Sequence, residues 1–363
     1  MENKNQKLKV FVGMSGGVDS GVAAALLKKQ GYNVTGVFMR LHEFGDEKNA
    51  RLAAKKLDIP FKVFDFRREF KEKVINYFLR GYKRGITPNP CIVCNRDIKF
   101  GLLLERALKE GADYIATGHY VKKSKIKKQK SKIIYKLLGA KDRNKDQSYF
   151  LWTLTQDKLK KILFPLGNYT KKEVRRFAQE FKISDLIKKE SEDICFIPNA
   201  NLSEFLKSRI KTNKGKIMTV EGKVLGKHRG LAFYTIGQRK RIGLPGGPFY
   251  VVDKDLKKNL LLVSKKRKDL EKKELIVKNV NLISGKQPDF PLKAAVKIRY
   301  RHKAVPAKLS WAYADKSADF GKLIKVKFEN FQKAVTPGQS AVFYKNKEVM
   351  GGGIIIKAKT CYN

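Results

Sequence analysis

A Gly- and Ser-rich turn, Ser15–Ser20 (SGGVDS), lies directly between an apolar run and a helical pattern, and it constrains the fold more than any other segment. Residues 8–14 (LKVFVGM) predict a short buried strand, and residues 18–30 carry apolar side chains at helical spacing. Glycines let a backbone fold closely around an anion, and a helix start offers unpaired N–H groups at its positive end. The segment therefore predicts a phosphate-binding loop. Because no Gly-Lys pair in the chain is followed by Ser or Thr, an ordinary P-loop with its lysine is excluded.

Strand and helix patterns alternate through the first half of the chain. Strands are predicted at 33–39, 61–66 and 114–120, and helices at 47–57, 67–80, 96–110, 156–163 and 171–181. This alternation is typical of an α/β fold with a doubly wound parallel sheet and helices on both faces. In such sheets ligands bind at the carboxyl ends of the strands, where the SGGVDS turn lies.

Beyond about residue 212 the pattern changes to short β-strands separated by Gly and Pro, which predicts one or two small barrels. We expect three domains. They are a catalytic α/β domain at 1–208, a small central mainly-β domain at 209–272 and a C-terminal β-barrel domain at 273–363.

The charge balance predicts a polyanionic partner. Lys and Arg number 80 against 34 Asp and Glu, a net charge of +46, of which A/T-rich coding could explain part. No stretch of about 18 uncharged apolar residues occurs, and the start lacks a secretory apolar core, so we expect a cytoplasmic protein that binds nucleic acid rather than a membrane. Residues 121–132 hold seven lysines and no acid, which suits either a solvated hairpin or an RNA-facing patch.

The four cysteines are too few for a disulfide framework in a chain of 363 residues. Cys91 and Cys94 form a C-x-x-C in TPNPCIVCN. It could be a zinc half-site, although a second pair is absent, a redox pair, although the surroundings are not thioredoxin-like, or a partner of the distant Cys195. Cys361 has no chemical context in the sequence.

The SGGVDS turn resembles the PP-loop of ATP pyrophosphatases, which have a HUP-like fold and adenylate their substrates. Longer stretches resemble the tRNA-specific 2-thiouridylase (MnmA/TrmU) family, namely TPNPCIVCNRDIKFG, GADYIATGHY, KDQSYFLWTLTQ, ILFPLGNYTKKEVR, DICFIP, FYTIGQRKRIGL and a late GGGIII. The resemblance covers nearly the whole chain. It implies an ATP-dependent sulfurtransferase that converts the wobble uridine of tRNA to 2-thiouridine, with a catalytic domain, a small central domain and a C-terminal barrel.

The resemblance also implies roles for individual residues, transferred by position. Cys94 matches the nucleophile and Cys195 the persulfide carrier. Positions matching ATP contacts are Gly13, Met14, Ser15, Gly16, Gly17, Val18, Asp19, Ser20, Met39 and Gly118. Positions matching tRNA contacts are Asn89, Pro90, Cys91, His119, Lys145, Asp146, Gln147, Arg299, Tyr300 and Gln339. No resident metal ligand is predicted.

Further partners follow from the chemistry that the resemblance implies. ATP with Mg²⁺ would activate uridine O2, a cysteine desulfurase or sulfur-relay protein would load Cys195 with persulfide sulfur, and a reductant would open a Cys94–Cys195 disulfide. Some family members carry Asp where Cys91 stands, which leaves its acid/base role to Cys91 or Asp97. Because thiolates are the reactive form, Arg96, Lys99 or a helix N-terminus is expected to lower the pKa of the thiols.

Overall fold

The computed structural model describes residues 7–127, 133–186, 194–197, 201–312 and 323–359. Cys361 and the centre of the lysine-rich segment, 128–132, lie outside these ranges.

A five-stranded parallel sheet forms the centre of the first domain, in the order β3-β2-β1-β4-β7. Its strands are β1 Lys9–Gly13, β2 Asn33–Arg40, β3 Phe61–Asp65, β4 Tyr114–Thr117 and β7 Ile162–Leu163. Both faces are buried: Val10 and Val12 belong to one hydrophobic cluster, whereas Phe11 belongs to the other. The predicted doubly wound sheet is confirmed.

Helices cover both faces of this sheet. They are α1 Val18–Lys29, α2 Glu47–Lys56, α3 Arg67–Phe70, α4 Asn76–Lys83, α5 Pro90–Val93, α6 Leu103–Lys109, α7 Gln156–Lys160, α8 Lys171–Glu180 and α9 Leu202–Lys207. The π-helical segments Lys71–Ile75 and Cys94–Leu102 join α3 to α4 and α5 to α6. Short 3₁₀ turns occur at Ser148–Leu151, Ser184–Leu186, Leu231–Phe233 and Arg267–Leu270.

Two predicted helices have different bounds in the structure. The helix predicted at 96–110 begins at Pro90, because Asn89 accepts a hydrogen bond from the Ile92 N–H and proline is tolerated in the first turn. Cys91 and Cys94 therefore lie on this helix and not in the segment before it. The helix predicted at 156–163 ends at Lys160, and β7 follows it.

A four-stranded sheet follows in the order β10-β11-β8-β9. Its strands are β8 Gly215–Thr219, β9 Val224–His228, β10 Tyr250–Asp255 and β11 Leu260–Ser264. Ile217, Val251 and Leu261 form part of its core. Residues 232–237 (AFYTIG) fit the short-strand pattern of this region in sequence, but that expectation is wrong, since the segment overlaps the 3₁₀ turn Leu231–Phe233.

Six further strands close into the predicted barrel, because β12 pairs with both β15 and β17. They are β12 Glu271–Leu282, β13 Leu292–Lys297, β14 Val305–Trp311, β15 Ile324–Lys333, β16 Ser340–Lys345 and β17 Glu348–Lys359. Val296, Val326 and Phe343 are among its fully buried residues.

The described part of the lysine-rich segment forms strand β5, Lys122–Lys127, which joins the barrel sheet. β5 pairs antiparallel with β6, Ile133–Leu138, and β6 pairs with β17 at Val349. Lys136 forms an ion pair with Glu348 across this junction. The lysines of this segment could still form either a solvated hairpin or an RNA-facing patch. The bounds of the three domains stay predictions.

Candidate active site

The turn after β1 forms a concave loop at the carboxyl end of the sheet. The Ser15 N–H donates to Ser20 Oγ at 3.1 Å, and Ser20 Oγ donates to the Gly17 carbonyl at 2.9 Å. Gly16 has φ +83°, which favours glycine, and a Cβ there would lie 2.6 Å from the Asp46 carbonyl oxygen. Among the described residues, no side chain caps the start of α1, so no side-chain oxygen accepts from the first backbone N–H groups of this helix. These features fit an anion such as the phosphates of ATP.

The other predicted nucleotide residues surround this loop. A Cβ on Gly13 would lie 3.5 Å from the Met39 methyl carbon, which places the end of β2 beside the end of β1. A Cβ on Gly118, after β4, would lie 2.9 Å from the Asp19 carbonyl carbon and the Ser20 nitrogen. Met14 and Val18 are buried beneath the loop. The structure thus brings together all ten positions that the resemblance assigns to ATP.

Two side chains that sequence reasoning missed contact the loop at Asp19. The Tyr120 hydroxyl and the Lys171 ammonium each donate to Asp19 Oδ1 at 2.7 Å. The sequence places Tyr120 in GHY and Lys171 after Thr170 at a predicted helix start, but nothing in it pairs either with Asp19.

The helix that begins at Pro90 carries two cysteines with different surroundings. Cys91 is exposed, whereas Cys94, one turn later, is 8% exposed and belongs to a hydrophobic cluster. From Cys94 the helix continues as a nine-residue π-helical segment. Such segments are rare and frequently occur at functional sites.

Cys195 is held among α3, α4 and α9 by the residue that follows it. The ring of Phe196 lies 5.7 Å from Phe70, 5.4 Å from Phe78 and 5.6 Å from Phe205, between ring centroids. Phe196 and Cys94 belong to the same hydrophobic cluster, and Cys195 is an exposed residue. The three thiols interact electrostatically, because the charge of a Cys195 or Cys91 thiolate raises the pKa of Cys94. The fold therefore brings Cys91, Cys94 and Cys195 together.

Burial dominates the protonation of all three thiols. It raises the pKa of Cys94 to about 12 and that of Cys195 to about 11, and it also raises the pKa of Cys91. Cys91 and Cys195 have accessible surface, yet enough protein surrounds each thiol to penalise its charge. Lys99 opposes burial at all three thiols.

The expected fall in the pKa of the thiols was wrong. Lys99 acts in the expected direction, but desolvation is the larger effect. Arg96 instead ion-pairs with its neighbour Asp97, with nitrogen–oxygen distances of 2.7 and 2.8 Å. Asp97, a candidate to replace the missing acid/base group, is therefore held in a bidentate ion pair.

Over the described ranges, no three His, Cys, Asp or Glu side chains are grouped so that they could hold a metal. Likewise, no helix in these ranges is both long and apolar enough to cross a membrane.

Family comparisons agree with this architecture. Three protein-family models match: "tRNA methyl transferase HUP domain" over residues 8–199, "tRNA methyl transferase PRC-barrel domain" over 203–265 and "Aminomethyltransferase beta-barrel domain" over 272–355. tRNA-specific 2-thiouridylase MnmA 2 of Thermoanaerobacter sp. is 45% identical, covering 96% of this chain and 97% of its own. The MnmA proteins of Clostridium kluyveri and Streptococcus agalactiae are 44% and 41% identical, covering 96% and 98% of this chain and 99% and 96% of theirs. The chain belongs to the tRNA-specific 2-thiouridylase MnmA family.

Similarity to solved structures adds less to this MnmA-family assignment. NMN synthetase from Francisella tularensis is similar over 56% of this chain and 73% of its own, with a TM-score of 0.34 and 15% identity. These values are too low to support an inference about function.

Several MnmA-family positions predicted to contact tRNA are used inside this protein. His119 is 6% exposed, its ring lies 2.8 Å from Thr117 Oγ1, and burial lowers its pKa well below the usual value. Gln147 Oε1 accepts from the Tyr120 N–H at 2.9 Å. Asp146 accepts from Ser148 N and Oγ at 3.0 and 3.1 Å. His119 is therefore neutral at physiological pH and does not act as a phosphate-binding cation.

Most of the remaining predicted tRNA positions lie nearer the surface, whereas Pro90 is buried at the start of α5. Arg299 is exposed and Lys145 is half-buried. The Tyr300 ring lies 4.4 Å from Phe150 between centroids. Gln339 donates its amide to the Thr87 carbonyl at 2.8 Å, which joins the barrel to the segment that leads to Cys91. Their contacts with tRNA stay predictions.

Proposed function

We propose that this chain is a tRNA-specific 2-thiouridylase. It adenylates O2 of the wobble uridine with ATP and then transfers sulfur from a Cys195 persulfide to C2, giving 2-thiouridine, AMP and pyrophosphate. The observation that carries the proposal is the convergence of Cys94 and Cys195, distant in sequence, in a domain that also contains the SGGVDS loop. Membership of the MnmA family supports it, since the curated relatives carry that name.

The loop between β1 and α1 is proposed to hold the phosphates of ATP with Mg²⁺. Uridine O2 is a poor leaving group, and transfer of AMP to O2 turns it into a good one. Backbone N–H groups at the start of α1 would stabilise the negative charge that develops on the phosphates. Met39 and Gly118, at the ends of β2 and β4, would face the adenosine.

The different exposure of the two cysteines suits successive steps of sulfur transfer. Cys195 is exposed and can meet a donor protein, a cysteine desulfurase or a sulfur-relay protein, that leaves a persulfide on its thiol. Cys94 is buried next to it. In one route the terminal sulfur of the persulfide attacks C2 and AMP leaves, and Cys94 then attacks Cys195 Sγ, which breaks the S–S bond and releases 2-thiouridine. In the other route Cys94 first attacks Cys195 Sγ and releases sulfide, which attacks C2 and displaces AMP. Both routes leave a Cys94–Cys195 disulfide, so a thiol reductant must supply two electrons in each turnover.

Nucleic acid as the partner is supported by the net charge of +46. We propose the anticodon region of tRNA as the ligand and the cytoplasm as the location. The target base must leave its stack to reach the cysteines, as in other enzymes that modify bases. Two of the family models are described as methyl transferase domains, but the relatives at 41–45% identity are named 2-thiouridylases, which favours sulfur transfer.

The proposal is tested with single cysteine variants in a reconstituted reaction with tRNA, ATP and a cysteine desulfurase. Cys195→Ser is expected to abolish 2-thiouridine but to keep tRNA-dependent formation of AMP and pyrophosphate. Cys94→Ser is expected to abolish 2-thiouridine while Cys195 still accepts persulfide sulfur. Cys91→Ser is expected to be milder, and Cys361→Ser serves as the matched control. Nucleoside mass spectrometry measures the product, and peptide mass spectrometry measures the persulfide.

Two outcomes would contradict the proposal. One is joint unfolding of the Cys91 and Cys94 variants with a silent Cys195→Ser, as a structural metal pair would give. The other is normal 2-thiouridine formation in either the Cys94 or the Cys195 variant. Adenylation that does not depend on tRNA would instead indicate a small-molecule synthetase of the PP-loop group.

A further inference from the structure

Lys171 is fixed at the first position of α8 by its neighbours. Thr170 and Glu173 form a reciprocal capping box, with the Thr170 N–H donating to Glu173 Oε2 at 2.7 Å. The Lys171 N–H donates to Asp142 Oδ2 at 2.9 Å. The start of α8 is therefore held in place before any ligand binds.

The Lys171 side chain reaches from α8 to the SGGVDS loop. Its Nζ lies 2.7 Å from Asp19 Oδ1, although the two residues are 152 positions apart. The side chain is 13% exposed, against 33% for Asp19. The two helices also pack against each other, because Val18 and Val22 of α1 share a hydrophobic cluster with Val174 and Ala178 of α8.

The SGGVDS loop contains no basic side chain that could contact the phosphates of ATP. The start of a helix offers only about half an elementary charge. Asp19 adds a negative charge at the start of α1, and this charge would repel a phosphate bound there. A Walker lysine, which supplies this charge in ordinary P-loops, is absent from the loop.

We propose that Lys171 binds the β- and γ-phosphates of ATP and the pyrophosphate that leaves. Its ammonium group then meets the charge that develops as the α–β phosphoanhydride bond breaks and that electron pair moves onto pyrophosphate. The inference rests on the proposed function, since it assumes that this loop binds ATP. In the absence of ATP, Asp19 holds the Lys171 ammonium beside the loop.

The test compares two probes that share the α-phosphate but differ beyond it. They are AMP and an ATP analogue with a methylene group between its α- and β-phosphates. Isothermal titration calorimetry with Mg²⁺ gives the Kd of each probe for the wild-type chain and its variants. The variants are Lys171→Met, Lys171→Gln, Lys171→Arg and the matched control Lys172→Met, which alters the adjacent exposed lysine.

Loss of the Lys171 charge is expected to raise the Kd of the ATP analogue by roughly 10- to 100-fold, because a charge-assisted hydrogen bond is removed. The Kd of AMP should change by less than about twofold. Lys171→Arg should keep most of the affinity, and Lys172→Met should match wild type. Thermal unfolding shows which variants are folded, and either neutral variant suffices for the comparison.

Three results would overturn the inference. Unchanged binding of the analogue, or equal weakening of analogue and AMP, would show that Lys171 only neutralises Asp19 or supports the fold. Failure of both neutral variants to fold would assign Lys171 a structural role. If the wild-type chain itself does not bind the analogue, the proposed function fails instead, so the two failures are distinguishable.

Discussion

Raising the pH is expected to accelerate alkylation of Cys195 steeply. The thiol has accessible surface, but burial raises its pKa to about 11, so the unreactive protonated form predominates at neutral pH. At about pH 7.5 a free cysteine of pKa about 8.5 is roughly 9% thiolate. A thiol of pKa about 11 is roughly 0.03% thiolate at that pH, so Cys195 should react about 300-fold more slowly than a free cysteine.

The assay follows iodoacetamide labelling of Cys195 by peptide mass spectrometry, without tRNA or ATP. Because the raised pKa keeps the proton bound until high pH, the rate should rise about tenfold per pH unit between about pH 7 and 10 without a plateau. In denaturant the same peptide should recover the ordinary cysteine profile. A plateau below about pH 9 in the folded chain would refute the burial argument.

Lys99 provides a second arm of the same experiment. It lowers the pKa of all three thiols, so Lys99→Met should slow labelling of Cys195 further at every pH. Lys109→Met, at the exposed end of α6, is the matched control. Equal profiles for the two variants would show that the Lys99 charge does not reach Cys195.

Two further predictions concern the ligands. Gly118→Ala should weaken binding of an ATP analogue and lower the free energy of unfolding by about 1–3 kcal/mol, because the added Cβ would lie 2.9 Å from the backbone of Asp19 and Ser20. Gly226→Ala, whose Cβ would have an ordinary 3.4 Å contact, is the control, and wild-type behaviour of Gly118→Ala would contradict the close approach. If six to ten phosphates are contacted, tRNA affinity should fall roughly 10³- to 10⁵-fold between about 50 and 200 mM salt in filter-binding assays. A flat response would show that the net charge of +46 does not serve tRNA binding.

The sheet and the barrel could be predicted because their hydrophobic patterns are local. Alternating strands and helices place β1 to β4 within a residue or two of their observed bounds, apart from the end of β4. The helix was predicted to start at residue 96 instead of Pro90 because Pro88 and Pro90 suggested a loop. Asn89 and Pro90 are nevertheless typical residues for an N-cap and a first turn. The sequence therefore did contain the local signals for this helix start.

The site was less predictable, because its decisive contacts are not local. Lys171 and Asp19 are 152 positions apart, so no periodic pattern in the sequence indicates that they are in contact. The sign of the thiol pKa shifts depends on how much protein surrounds each sulfur, which no spacing of residues reveals. Asp146 and Gln147 match tRNA-contacting positions in sequence, yet both accept hydrogen bonds inside the protein.

The segment leading to the cysteine helix is held by more than the catalytic domain. The Thr87 N–H donates to the Pro337 carbonyl at 2.9 Å, and the Thr87 carbonyl accepts from Gln339 at 2.8 Å, so the barrel fixes this backbone on both sides. Thr87 Oγ1 also lies 3.4 Å from Thr235 Oγ1 in the central domain. Because Thr87 precedes Cys91 by four residues, a shift of the barrel would displace the start of the cysteine helix. The start of the cysteine helix is thus positioned by contacts from the barrel and the central sheet as well as by its own domain.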